Sequence, residues 1–131
     1  MMWEPFSDEL REVIRNAEKV AISRGNNYIG TEHLLISLMN CDDVYSIVGK
    51  ENDIWLLDII LEADSICGKS DNIVKGEIVF TPRAKEIIEL SMGVCRDRKS
   101  NLVTPMDMFN AIIKEGESVG FRILSNLGFK N

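Results

Sequence analysis

The segment FSDELREVIRNAEKVAISRGNNYIGTEHLLISLM (6–39) lies over FTPRAKEIIELSMGVCRDRKSNLVTPMDMFNAII (80–113) without a gap, every residue moving by the 74 positions that carry Phe6 onto Phe80. Val13-Ile14 falls on Ile87-Ile88, Tyr28-Ile29 on Leu102-Val103, and Leu38-Met39 on Ile112-Ile113. A period of this length is one supersecondary unit written twice. Two such units, face to face, bury apolar surfaces that neither could bury alone.

Each unit reads as helical. Leu10, Val13, Ile14, Ala17 and Ala21 follow helical spacing behind the capping Ser7 and the acidic Asp8 and Glu9, which predicts a helix over about 8–24 ended by Gly25. Thr81-Pro82 starts its repeat mate, with Ala84, Ile87, Ile88, Ser91 and Cys95 along one stripe. Thr104-Pro105 opens a helix whose inward face is Met108, Phe109, Ile112 and Ile113, matched in the first unit by TEHLLISLM with Leu34, Leu35, Leu38 and Met39. A third helix is expected over Ser118–Leu127 before Gly128, with a weaker counterpart near Val44–Val48 closed by Gly49. DIWLLDIILEADSIC (53–67), apolar over most of its circumference, predicts a buried helix joining the halves. The reading is a single domain over 1–131: repeat one about 6–67, a polar loop 68–79, and repeat two about 80–128.

Two motifs invite chemistry. ADSICGKS (63–70) is one glycine short of a phosphate-binding loop, but such a loop needs a strand before it and a helix after it, and here a helix precedes and a polar loop follows. Gly68 is better read as a helix-ending residue, and no ATP binding is expected. The pair Glu32-His33 holds the sole histidine. It does not fit H-E-x-x-H, has no Cys/His cluster around it, and lacks a second acid or nucleophile, so neither a metal, a cofactor nor catalysis is expected. Helix starts are chemically open places, since their unpaired N–H groups attract anions, and Ser7 and Thr81 mark two of them. Both read equally as simple caps.

Composition narrows the classes further. A formal net charge of −6 argues against a phosphate-backbone footprint and hence against nucleic acid. No apolar run approaches the roughly 18–20 residues of a membrane span, and the amino terminus lacks a secretory pattern, so a cytoplasmic, non-membrane protein is expected. Cys41, Cys67 and Cys95, odd in number and without C-x-x-C spacing, read as unpaired thiols.

The segments NNYIGTEHLLISLM, FTPRAKEIIELSM and IIKEGESVGFRILSNLGF closely resemble the twin-repeat amino-terminal domain of the Hsp100/Clp ATPases, particularly the ClpC type, over Phe6 to Gly128. The resemblance implies an all-α, pseudo-twofold bundle that is no part of the ATPase machinery and that receives adaptors and protein substrates for an unfoldase. In ClpC-type domains it also implies, for each repeat, a pocket for phosphorylated arginine. The glutamate of GTEH there faces the guanidinium, and the start of the first helix lies near the phosphate. Carried over, repeat one keeps Ser7 and Glu32. Repeat two keeps Thr81 but has Met106 in place of the glutamate and Asp107 in place of His33, so at most one complete pocket is expected. Phe80 and Lys85 match an adaptor- and peptide-contacting surface of the family, although Phe80 equally reads as a core staple like its mate Phe6.

Two functional expectations follow. One is a docking module of a Clp unfoldase. The other, suggested by Met106 and by a sequence that ends before any ATPase module, is a free-standing Clp-like accessory that attaches to Clp ATPase or peptidase subunits.

Overall fold

The computed structural model describes residues 5–130. Helices dominate: α1 (Asp8–Ser23), α2 (Thr31–Leu38), α3 (Asp42–Tyr45), α4 (Leu56–Cys67), α5 (Pro82–Asp97), α6 (Pro105–Glu115) and α7 (Val119–Asn126), with two-residue strands β1 (Tyr28–Ile29) and β2 (Val79–Phe80). Local chemistry sets their ends. Ser7 Oγ accepts the Leu10 N–H at 3.0 Å, Thr81 Oγ1 accepts that of Ala84 at 3.0 Å, and Ser118 Oγ accepts that of Phe121 at 3.2 Å. Gly25 follows α1 at φ 72°, a left-handed position that favours glycine.

The duplication is visible in the packing. α1 lies on α2 as α5 lies on α6, and α2 also touches α5 and α6 of the other unit. All eight residues of α2 are buried, which places this short helix at the centre of the core. The stripe Leu10, Val13, Ala17 and Ala21 closes on it from one side, and Ser37 Oγ donates to the Val13 carbonyl at 2.6 Å.

What joins the units is an exchange of backbone. β2 of the second unit pairs in parallel with β1 of the first, Ile29 opposite Phe80, while Phe6 of the first unit bridges to Val103 of the second. The flanking bonds match: Thr81 N–H donates to the Ile29 carbonyl at 3.0 Å and Ser7 N–H to the Val103 carbonyl at 2.9 Å. Each unit's first helix therefore begins against the other unit.

Two expectations are corrected. α4 is not buried: Ile59 and Ala63 are covered, packed towards α2 and α7, but Leu57 is 65% and Leu61 58% exposed. An apolar circumference does not supply neighbours, and only the stripe facing α2 and α7 finds them. α4 still links the halves, since α7 belongs to the second unit. The segment expected as a helix over Val44–Val48 closed by Gly49 is instead α3 running into a π-helical turn, Ser46–Lys50. Gly49 lies inside that turn because the Trp55 ring packs on it; a Cβ there would stand 2.6 Å from the ring.

Candidate ligand cavities between the repeats

At the start of α2 the chain turns through Gly30, and the Glu32 side chain folds back over it so closely that a Cβ at Gly30 would meet Oε1 at 2.1 Å. Glu32 is 3% exposed. Its Oε2 accepts from the Tyr28 hydroxyl at 3.2 Å and the Cys67 thiol at 3.4 Å, while Oε1 has no hydrogen bond among the described residues. Burial, then the nearby Glu32 charge, pushes the Tyr28 hydroxyl up to about 12 and the Cys67 thiol up to about 11. Both stay protonated at neutral pH and serve as donors to the carboxylate.

His33, next in sequence, is turned away from this chemistry. Its Nδ1 accepts the Gly30 N–H at 2.9 Å, and Nε2 lies 2.9 Å from Asn26 Oδ1, which defines a neutral ring protonated on Nε2. Burial lowers its pKa. In repeat two Asp107 does the same job, accepting the Thr104 N–H at 2.9 Å and the Arg98 guanidinium through two bonds of 2.7 Å. Burial raises the Asp107 pKa, but Arg98 and the Thr104 N–H outweigh it and hold the carboxyl below its ordinary range.

Glu32 opens into a cavity of about 430 Å³ whose far walls come from the other repeat: Thr81 and Arg83 at the start of α5, and Glu117, Ser118 and Val119 at the start of α7. The α7 wall is held by the Gly120 N–H, which donates to Thr31 Oγ1 at 2.9 Å. Arg83 is anchored by Glu115, with Glu86 at 3.7 Å. A carboxylate thus faces a helix start and a guanidinium across one space, an arrangement suited to a ligand with both a cationic and an anionic group.

This geometry changes the pairing expected within each repeat. Glu32 shares its cavity with Thr81, and Ser7 sits against Val103, three residues before Met106. The strand exchange is the cause, because it seats each first helix on the other unit's loop. The two helix starts also differ in charge. Arg83 corresponds to Glu9, and Cys41 is pushed up to about 11 by burial and then by Glu9, Asp42 and Asp43, so acids gather beside the start of α1. Met106, half-buried, offers no carboxylate there.

Phe80 and Lys85 line a second, apolar groove of about 480 Å³ with Phe6, Ile14, Ile88 and Glu89. Phe6 and Phe80, and Ile14 and Ile88, are repeat mates, so the groove straddles the pseudo-twofold axis. Both phenylalanines are partly buried against the core and still form its wall, which reconciles the two readings of Phe80. Sequence reasoning did not find Tyr28, Cys67 or Arg83. Tyr28 lies four residues before Glu32 and Cys67 reaches it from the end of α4, whereas Arg83 is brought there by the backbone exchange.

A duplicated helical unit with ligand-sized cavities at its inter-repeat seams defines a class of small two-repeat domain. The family model of the Clp repeat N-terminal domain matches residues 5–127, and the chain belongs to this family. It is 35% identical over 128 residues to the chaperone protein ClpC1, chloroplastic, of Arabidopsis thaliana, covering 97% of this chain and 14% of that protein. The chain thus spans about one-seventh of the length of such relatives. Among solved structures, the N-terminal domain of the caseinolytic protease associated chaperone ClpD from Arabidopsis thaliana superposes with a TM-score of 0.80 at 21% identity, covering 98% of this chain and 91% of that one. The ClpV N-domain in complex with a VipB peptide superposes with a TM-score of 0.68 at 17% identity, covering 90% and 74%.

Proposed function

We propose that this chain is a non-catalytic docking domain that receives adaptors and protein substrates, arginine-phosphorylated ones included, for a Clp unfoldase in the cytoplasm. The observation that carries the reading is the buried Glu32 carboxylate, its Oε1 without a hydrogen bond among the described residues, across one cavity from Thr81 and Arg83. A guanidinium donates to the carboxylate while a phosphate on it meets the Arg83 guanidinium and the Thr81 hydroxyl at the start of α5. The peptide-bound ClpV N-domain supports a docking role in general terms. The groove of Phe80 and Lys85 is the proposed adaptor surface, apolar in its floor with Lys85 and Glu89 in its wall. Calorimetric titration with phosphoarginine and with an adaptor tests the reading; binding of phosphoarginine that Glu32→Gln abolishes is expected, and absence of binding to both would sink it.

A second reading, a free-standing accessory of a Clp complex, is favoured by Met106, which takes the place of the second glutamate, and by the acids gathered beside the start of α1. Co-purification with Clp ATPase or peptidase subunits is its expected outcome. Failure to recover any Clp subunit removes its support.

A further inference from the structure

The cavity at Glu32 has a neighbour. Tyr28 and Cys67 also line a space of about 620 Å³ beneath the inter-repeat loop, walled by Asn27, Ser70, Asn72 and Lys75 among others. Cys67 is exposed and Tyr28 half-buried, and these two residues are the wall that the two cavities share. The second space is polar, and the amides of Asn27 and Asn72 can both donate to and accept from peptide groups. Neither amide side chain has a hydrogen bond among the described residues. Lys75 makes no ion pair there either. The two cavities, joined through Tyr28 and Cys67, are therefore lined between them by a carboxylate, two amides and an ammonium.

We propose that these two cavities form one trench for an extended segment of a partner protein. A basic side chain of the segment sits on Glu32, its backbone crosses Tyr28 and Cys67, and an acidic side chain reaches Lys75. This extension rests on the docking reading of the Glu32 cavity and adds to it: the ligand is a stretch of chain with opposite charges some residues apart, not a single side chain. Amide and charge contacts spread along a segment add affinity where one arginine gains only the Glu32 contact.

The test is a titration followed by amide NMR, with N-acetylarginine amide and two capped peptides, Ac-GSRSSSEG-NH2 and its reverse Ac-GESSSRSG-NH2. One peptide is expected to bind about tenfold tighter than N-acetylarginine amide, the increment of one further charge-assisted contact. It should shift the amides of Asn27 and of 70–75 as well as those around Glu32. Lys75→Glu should remove the gain and leave N-acetylarginine amide binding unchanged, whereas Glu32→Gln should abolish both. If N-acetylarginine amide binds through Glu32 but neither peptide binds tighter, or if Lys75→Glu leaves the peptide affinity intact, the trench is refuted and the Glu32 cavity stands. If no probe shifts the amides around Glu32, the trench is refuted, and the docking reading of that cavity falls with it only when phosphoarginine and an adaptor also fail to bind.

Discussion

Glu32, in the first turn of α2, shares a cavity with Thr81, the cap of α5 in the other repeat, while Ser7, the cap of its own repeat's first helix, is bonded to Val103. Thr81 is placed there by its N–H bond to the Ile29 carbonyl, one residue before the turn that aims Glu32. The cavity at Glu32 is thus tied to the seam between the repeats.

The two caps should separate in binding and agree in stability. Ser7→Ala and Thr81→Ala should each cost about 1 kcal/mol of stability by denaturant unfolding, the usual worth of such a cap. Only Thr81→Ala should weaken phosphoarginine binding. Glu32→Ala should weaken it about tenfold to a hundredfold, and Met106→Ala should leave it nearly unchanged. Equal losses from Glu32→Ala and Met106→Ala would refute the asymmetry.

Acid should unfold the two repeats' second helices by different groups. His33 has a folded pKa below its ordinary 6.5, so the unfolded chain binds the extra proton first, and stability falls as pH drops below about 6.5. Asp107 has a folded pKa below its ordinary 3.8; its contribution is complete above that value and is lost as pH falls through the folded pKa. Unfolding free energies measured from pH 7 to 2 should show both steps, with His33→Gln flattening the upper one and Asp107→Asn the lower. Asp107→Ala should cost about 2 kcal/mol at pH 7, because a charge-assisted hydrogen-bond set is lost.

Gly120 holds α7 against α2. A Cβ there would stand 3.0 Å from the Thr31 carbonyl oxygen, which is backbone and cannot swing aside. Gly120→Ala should destabilise by about 1–3 kcal/mol, the range for forced overpacking, and displace the wall that carries Ser118. A melting temperature equal to that of the parent would show that α7 yields without strain.

The outer face of α4 should be silent in stability. Leu57→Lys and Leu61→Lys, each at an exposed position, should change unfolding free energy by less than about 0.5 kcal/mol. Ile59→Ala, three-dimensionally enclosed, should cost about 2–5 kcal/mol. Chemical denaturation of the three variants distinguishes these outcomes.

The duplication, the helical class and the helix starts at Ser7, Thr81 and Thr104 were legible in the chain because they depend on local capping chemistry and on a period that survives in linear order. Gly68 as a helix-ending residue was legible for the same reason; its N–H returns to the Asp64 carbonyl at 2.8 Å. Burial of α4 was not, since hydrophobicity states what a surface prefers and packing decides what covers it. Nor was the partner of Glu32. The 74-residue period relates equivalent residues, but two equivalent units can dock with the start of each first helix against its own unit's loop or against the other's, and the repeat pattern is the same in both. Parallel pairing of Ile29 with Phe80 and of Phe6 with Val103 selects the second arrangement. It places Thr81 and Arg83 opposite one carboxylate of the first repeat through backbone hydrogen bonds between segments far apart in the chain.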